Sequence, residues 1–235
     1  MKEHLKKILK QANNNPEGRC LLREYLQARS LEFLQNKGAF SMWSFVGGTS
    51  LRFLYDLSRF SEDLDFSATK EVSEQDFINM LNAVKSGFEK ELYSITIKAK
   101  PNRTVQSALI KFPGLMYEVE LSAHSSETIS IKLEVDTNPP KGWQCENSIV
   151  RRHTMLNIQH YTKPSLLAGK VNALLSRTYT KGRDYYDLMW YLTDHKELQP
   201  NFIQLNNALE QTSWQGPILN AENWKEIVAQ RIEST

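Results

Sequence analysis

The chain has 235 residues, 40% of them hydrophobic and 24% charged, with a formal net charge of +2. That is long enough for one large domain or two small ones, ordinary for a soluble globular protein, and too near neutral for net charge alone to mark a nucleic-acid binder. Two cysteines, Cys20 and Cys145, are too few for a disulfide framework or a cysteine zinc site; with no apolar leader and no stretch of membrane-span length, a soluble cytoplasmic protein is expected.

Taken in chain order, Lys2 to Ala12 reads as a short helix broken by Asn13-Asn14-Asn15-Pro16. Glu17 to Lys37 is a longer helical pattern with Gly38 as its stop. The apolar run Phe40 to Val46 predicts a buried strand, followed by Gly47-Gly48, a tight turn, and by Thr49-Ser50, which can cap a short helix with Leu51, Phe53, Leu54 and Leu57 on one face. Asp63 to Phe66 predicts a strand, and Ser73-Glu74-Gln75-Asp76 a helix start. Ser94–Ala99, Val105–Phe112, Leu115–Leu121 and Ile129–Asp136 all read as strands. After Asn138-Pro139-Pro140 the pattern weakens, a candidate domain boundary. Helices are expected from Pro164 to about Thr178, and over Arg183–Asp194, Phe202–Thr212 and Glu222–Ile232. The expected architecture is a helix-flanked sheet first and a helical bundle after it.

Three stretches could carry chemistry. In Asp63-Leu64-Asp65-Phe66 the strand period of two puts both carboxylates on one face, roughly 6.5–7 Å apart at Cα. Gly47-Gly48 leaves backbone N–H groups open to an anion, so a phosphate-friendly turn precedes a carboxylate pair. Ile131 to Asp136 alternates, with Lys132, Glu134 and Asp136 on the polar face, a pattern that a strand with one wet face explains without any function. Lys170, Leu174 and Arg177 share one helix side, and Asp184, Asp187 and Tyr191 share another on the next helix. These last two sets read equally as exposed helix faces braced by an Arg–Asp pair. Charge is also uneven: Lys141, Arg151, Arg152, Lys163, Lys170, Arg177, Lys181 and Arg183 meet only Glu146 between 141 and 183. Such a segment suits a polyanion or is simply solvated.

The ordered run of strand, Gly-Gly-Thr-Ser, helix and Ser-Glu-Asp-Leu-Asp-Phe resembles the signature of polymerase-beta-like nucleotidyltransferases. The fuller form GGTSLRFLY…RFSEDLDF, with Lys170…Arg177…Arg183-Asp184-x-x-Asp187-Leu188 downstream, is similar to the AbiEii/AbiGii-type toxin nucleotidyltransferases of bacterial toxin–antitoxin and phage-defence systems. The resemblance spans roughly Phe45 to Tyr191. It implies an α+β fold, with a nucleotidyltransferase-like mixed sheet flanked by helices in residues 1–140 and a mainly helical lobe in 141–235 that completes the active site. It further implies transfer of NMP from an NTP to an acceptor hydroxyl, with release of pyrophosphate and with tRNA as the acceptor. By resemblance Asp63 and Asp65 hold Mg2+ (or Mn2+), with Glu134 as the third carboxylate and Asp136 its alternative. Oxygen donors suit either ion. Gly47, Gly48, Thr49 and Ser50 cradle the triphosphate, Lys170 holds phosphate, and Asp184 is the base or a positioning group, with Asp187 a partner for Arg177 or Arg183. Arg52 and Arg59 could touch phosphate or neutralise Glu62. A cognate antitoxin protein is the implied partner. Two other readings stay open: a protein or small-molecule acceptor, and a nucleotide-binding regulator of the same fold without turnover.

Overall fold

A computed structural model of the protein describes residues 2–179 and 181–234. The chain divides into two compact units, one of Met1–Asn138 with Asn147–Gln159, the other of Pro139–Glu146 with His160–Thr235. The tip of a hairpin, residues 147–159, thus belongs with the first unit.

In the first unit, α1 (Lys2–Leu9) leads into α2 (Asn15–Asn36). The Asn14 side chain caps α2 by accepting from the Glu17 N–H, and Pro16 occupies the first turn, where it gives up no intrahelical bond. Gly38, at φ +86°, closes the helix in the left-handed region. A single 3-10 turn then precedes β1 (Trp43–Val46), which is shorter than the apolar run predicts. There follow α3 (Gly47–Tyr55), β2 (Leu64–Ala68), α4 (Glu74–Lys90), β3 (Thr96–Lys100) and β4 (Val105–Pro113). A reciprocal capping box between Ser73 and Asp76 starts α4, as the sequence predicts. Leu115–Leu121 is not a strand. Gly114, at φ +74°, turns the chain into the short helix α5 (Leu115–Glu118), which buries Leu115, Met116 and Val119, a helical spacing that a short apolar run does not distinguish from a strand.

After β5 (Thr128–Asp136) come β6 (Cys145–Arg152) and β7 (Thr154–Tyr161), a hairpin that the sequence reading missed. Its turn residue is His153, at φ +59° and without the usual glycine signal, although Leu156, Ile158 and His160 alternate inward. Among the described residues the strands form one mixed sheet of order β3-β4-β5-β2-β1-β7-β6. β2 runs antiparallel to β1 and parallel to β5, while β4 runs antiparallel to both β5 and β3.

The alternation read from the sequence decides which face is covered. Ile129, Ile131, Leu133 and Val135 of β5 lie in one core with Leu64 and Phe66 of β2 and with Ile110 and Phe112 of β4. Leu22, Leu26, Phe77 and Phe88 bring α2 and α4 onto that face. Phe88 meets the rings of Phe33, Tyr93 and Phe112 edge-on at 4.8–5.5 Å, the favoured offset geometry. The other face is the more polar one and carries both central carboxylates, alongside Val46, Val105 and Leu109.

The second unit is helical apart from its strand ends. In α6 (Lys163–Ser176) every turn is apolar, and α7 (Gly182–Asp194), α8 (Phe202–Gln211) and α9 (Trp224–Glu233) pack against it. Leu167, Val171, Leu174, Tyr191, Leu205 and Trp224 form the buried centre, and the Trp224 indole N–H donates to Gln199 at 2.7 Å. Asn201 caps α8 and also donates to the Gly142 carbonyl, fastening the loop ahead of the helices. Tyr191 and Trp224 are both core residues.

Candidate active site

The site is built outward from Gly47. Its φ of +80° is a conformation that a side chain disfavours, and a β-carbon there would stand 2.3 Å from Asp65 Oδ2. The sheet dictates this closeness, because Val46 and Asp65 are register partners across β1 and β2. A β-carbon on Gly48 would stand 2.7 Å from the Arg59 guanidinium and 3.0 Å from Ser61 Oγ. Two glycines therefore let a carboxylate and a cation lie directly against the start of α3, where the first N–H groups have no intrahelical acceptor and the helix dipole favours an anion.

Thr49 and Ser50 do not cap this helix. The N-cap is Val46, and both hydroxyl residues are buried inside the first turn. Ser50 Oγ donates to the Gly47 carbonyl at 2.8 Å, and Thr49 Oγ1 donates to the Asp63 carbonyl. Thr49 fastens the turn to the carboxylate segment and Ser50 closes the turn on itself, so neither hydroxyl proton is available to a ligand. Arg52 is also committed elsewhere, to Glu24 at 2.5 Å and to the Leu57 and Ser58 carbonyls, and Glu62 pairs with Arg23 rather than with Arg52 or Arg59.

Asp63 and Asp65 alternate with the buried Leu64 and Phe66, so the carboxylates share the polar face as predicted. In the parallel β2–β5 pairing Asp65 is opposite Glu134 and Ser67 opposite Asp136. Glu134 is thereby the neighbour of the pair, while Asp136 stands one step further along. Burial pushes the Asp136 carboxyl above its ordinary range, and its oxygen accepts the Asn138 N–H. The residue that sequence reasoning overlooked is Lys132. Its ammonium is 2.7 Å from Glu134 Oε2. The hydrogen bond to Glu134, opposed by burial and reinforced by the charges of Glu134, Asp63 and Asp65, makes it hold its proton more tightly than an ordinary lysine. Its position two residues before Glu134 on an alternating strand was the available signal.

A divalent ion fits this set by donor type, since carboxylate oxygens suit a hard cation, and by register. Among the described residues no three His, Cys, Asp or Glu side chains close to ligating geometry. The Lys132 ammonium brings a positive charge into the set.

Behind α3 a buried network fixes the turn from below. Glu24 of α2 is 5% exposed and receives Arg52 at 2.5 Å, Arg152 at 3.1 Å and His153 at 3.4 Å, while Arg152 also reaches Asp56. Burial pushes the Glu24 carboxyl up, but the hydrogen bonds from His153 and Arg52 and the charges of both arginines bring it down to about 2.

In the second unit, Lys170 Nζ is 2.6 Å from Asp187 Oδ2, with Asp187 fully buried, and Arg177 pairs with the nearly buried Asp184. The two faces expected to be exposed are thus a paired seam between α6 and α7, in which Asp187 meets Lys170. The basic segment from 141 to 183 changes meaning as well, since Arg152, Lys170 and Arg177 are all held by carboxylates.

A mixed sheet with a glycine turn set against a carboxylate pair, followed by a helical unit, is the arrangement that the nucleotidyltransferase resemblance implies. The family model for the nucleotidyl transferase AbiEii toxin of type IV toxin–antitoxin systems matches residues 30–223, and the chain belongs to that family. Among solved structures, JHP933 from Helicobacter pylori is 21% identical, with a TM-score of 0.55 over 90% of this chain and 88% of its own. Another H. pylori protein, described as a nucleotidyltransferase, is 20% identical, with a TM-score of 0.53 over 90% and 91%. At such identities the likeness concerns the fold. No curated protein matches the chain.

Two outcomes follow from these pairs. Because the folded-state pKa of Glu24 is depressed, its contribution to stability is present above about pH 4.5 and lost as pH falls toward about 2. Urea melts of wild type and Glu24→Gln should therefore differ most near neutrality and converge across that window. Lys170→Ala should cost about 3–5 kcal/mol by leaving a charge buried, whereas Lys170→Met with Asp187→Leu should recover most of the loss, as thermal and urea melts would read.

Proposed function

We propose that the protein is a metal-dependent toxin that transfers a nucleoside monophosphate from an NTP to a hydroxyl of tRNA, and so stops translation. The single observation that carries the reading is the placement of Asp65 between Gly47, at the start of α3, and Glu134 of the neighbouring strand β5, in a chain of this family. Asp63, Asp65 and Glu134 would hold Mg2+ (or Mn2+), which when bound neutralises charge on the triphosphate and acts as a Lewis acid toward it. The N–H groups from Gly47 to Ser50 bind and orient phosphate oxygens, with the Arg59 guanidinium beside them.

An acceptor oxygen attacks the α-phosphorus, forming a P–O bond as the bond to pyrophosphate breaks and the hydroxyl proton leaves to a base. Lys170 is assigned to phosphate, since an ammonium has three donors and Asp187 occupies one direction. Asp184 is assigned to accepting or orienting the acceptor proton, with Arg177 fixing its carboxylate. The type IV description of the family supports a cognate antitoxin as partner and a role in growth arrest or phage defence.

The direct test incubates the pure protein with each labelled NTP, magnesium and total cellular RNA or protein. RNA in the tRNA size range should become labelled. Asp63→Asn and Asp65→Asn should each abolish labelling and leave the melting temperature equal or slightly higher without metal, because one charge is removed from a repelling cluster. Near-normal labelling by either variant would refute the metal assignment.

A further inference from the structure

The polar face that carries the carboxylates continues across β4 to the free edge at β3. Paired residues share a face, so Lys100, Ser107, Glu134 and Asp65 form one row across four strands, and Lys98, Leu109 and Lys132 form the next. Lys111 stands one step further on β4, opposite Thr96. The polar-face positions of β3 and β4 hold three lysines and no carboxylate, and the opposite face of the same strands is core. Lys98 and Lys100 are exposed and Lys111 partly so, and none of the three forms an ion pair among the described residues. They differ in this from Arg152, Lys170 and Arg177, whose charges are answered by carboxylates.

Strands lie about 4.8 Å apart, so this cationic ramp runs about 10 Å from β5 to β3, within reach of successive phosphates for side chains as long as lysine. It ends at the carboxylate centre. We propose that the β3–β4 face binds the phosphate backbone of the acceptor RNA and delivers its reactive end to Asp63 and Asp65. The inference rests on the nucleic-acid acceptor of the proposed function and assigns the surface that holds it. A backbone held without base-specific recognition would dock by charge and lose affinity steeply with salt. Lysines at an edge strand also block strand addition, but that role asks for charge at the edge and does not account for Lys111 on the inner strand β4.

The test uses the full chain, fluorescein-labelled total tRNA and a mixed-sequence single-stranded RNA, with anisotropy read from 50 to 300 mM salt. Lys98→Glu with Lys100→Glu should weaken RNA binding by roughly tenfold or more and flatten the slope of log affinity against log salt by about 1.4, near 0.7 for each phosphate that is no longer neutralised. The Lys→Gln pair should show a smaller loss in the same direction. The melting-temperature rise produced by magnesium and NTP should be unchanged in both, which also confirms that they fold. Unchanged RNA affinity and salt slope in the Glu pair would overturn the proposal. If wild type labels RNA with NMP and the Glu pair does so with an unaltered KM for RNA, this surface is wrong and the acceptor reading stands. If wild type neither binds nor labels RNA at the lowest salt, both fall together.

Discussion

The carboxylate of Asp65 lies against the α-carbon of Gly47 more closely than any β-carbon would permit. Much else in the first unit serves that close approach. Antiparallel pairing of β1 with β2 sets Val46 opposite Asp65, so the turn after β1 must pass over the carboxylate. Thr49 ties the helix start to the Asp63 carbonyl, and Ser50 closes the turn on itself. The arrangement places a helix N-terminus, which attracts anions, beside carboxylates, which attract cations. The metal triphosphate of the proposed function would satisfy both.

Charge is costly to keep in such a place, and the protein offsets it in two ways. On the open face, Lys132 sits with Glu134 within the fields of Asp63 and Asp65 and reduces their mutual repulsion. On the covered side, Glu24 collects Arg52, Arg152 and His153, which fixes the middle of α3 to α2 and to the turn between β6 and β7. A buried network of this kind is weak as a source of stability but holds the elements it joins in one geometry. The missed hairpin therefore has a positional role: it delivers Arg152 and His153 beneath the helix that carries the glycine turn.

Where the signal was local, the sequence was readable. Gly38, the Ser73 capping box and the alternation of β5 are decided by neighbouring residues, and all three stand as expected. The candidate carboxylates were legible for the same reason, since a period of two assigns a face without reference to any other strand. What could not be read was pairing. That Asp65 is flanked by Glu134 depends on the parallel register of β2 and β5, which lie about seventy positions apart in the chain. Which acid answers Lys170 or Arg52 is likewise a tertiary matter: Lys170 was read on an exposed helix face and Arg52 as a partner for phosphate or Glu62, whereas they meet Asp187 and Glu24. Leu115–Leu121 failed because four apolar residues in seven suit a helical turn as well as a strand.

The claim on which the account turns is that the glycine turn and the carboxylate pair form one site. Gly47→Ala puts a β-carbon into the space of the Asp65 carboxylate without removing any ionisable group. Calorimetric titration of this variant with each of the four ribonucleoside triphosphates in magnesium, beside its thermal melt, is the most direct measurement. The account predicts that the nucleotide bound by wild type is lost, while stability falls only by the roughly 1–3 kcal/mol of a strained, overpacked residue. A folded Gly47→Ala protein that binds nucleotide with wild-type affinity would contradict it.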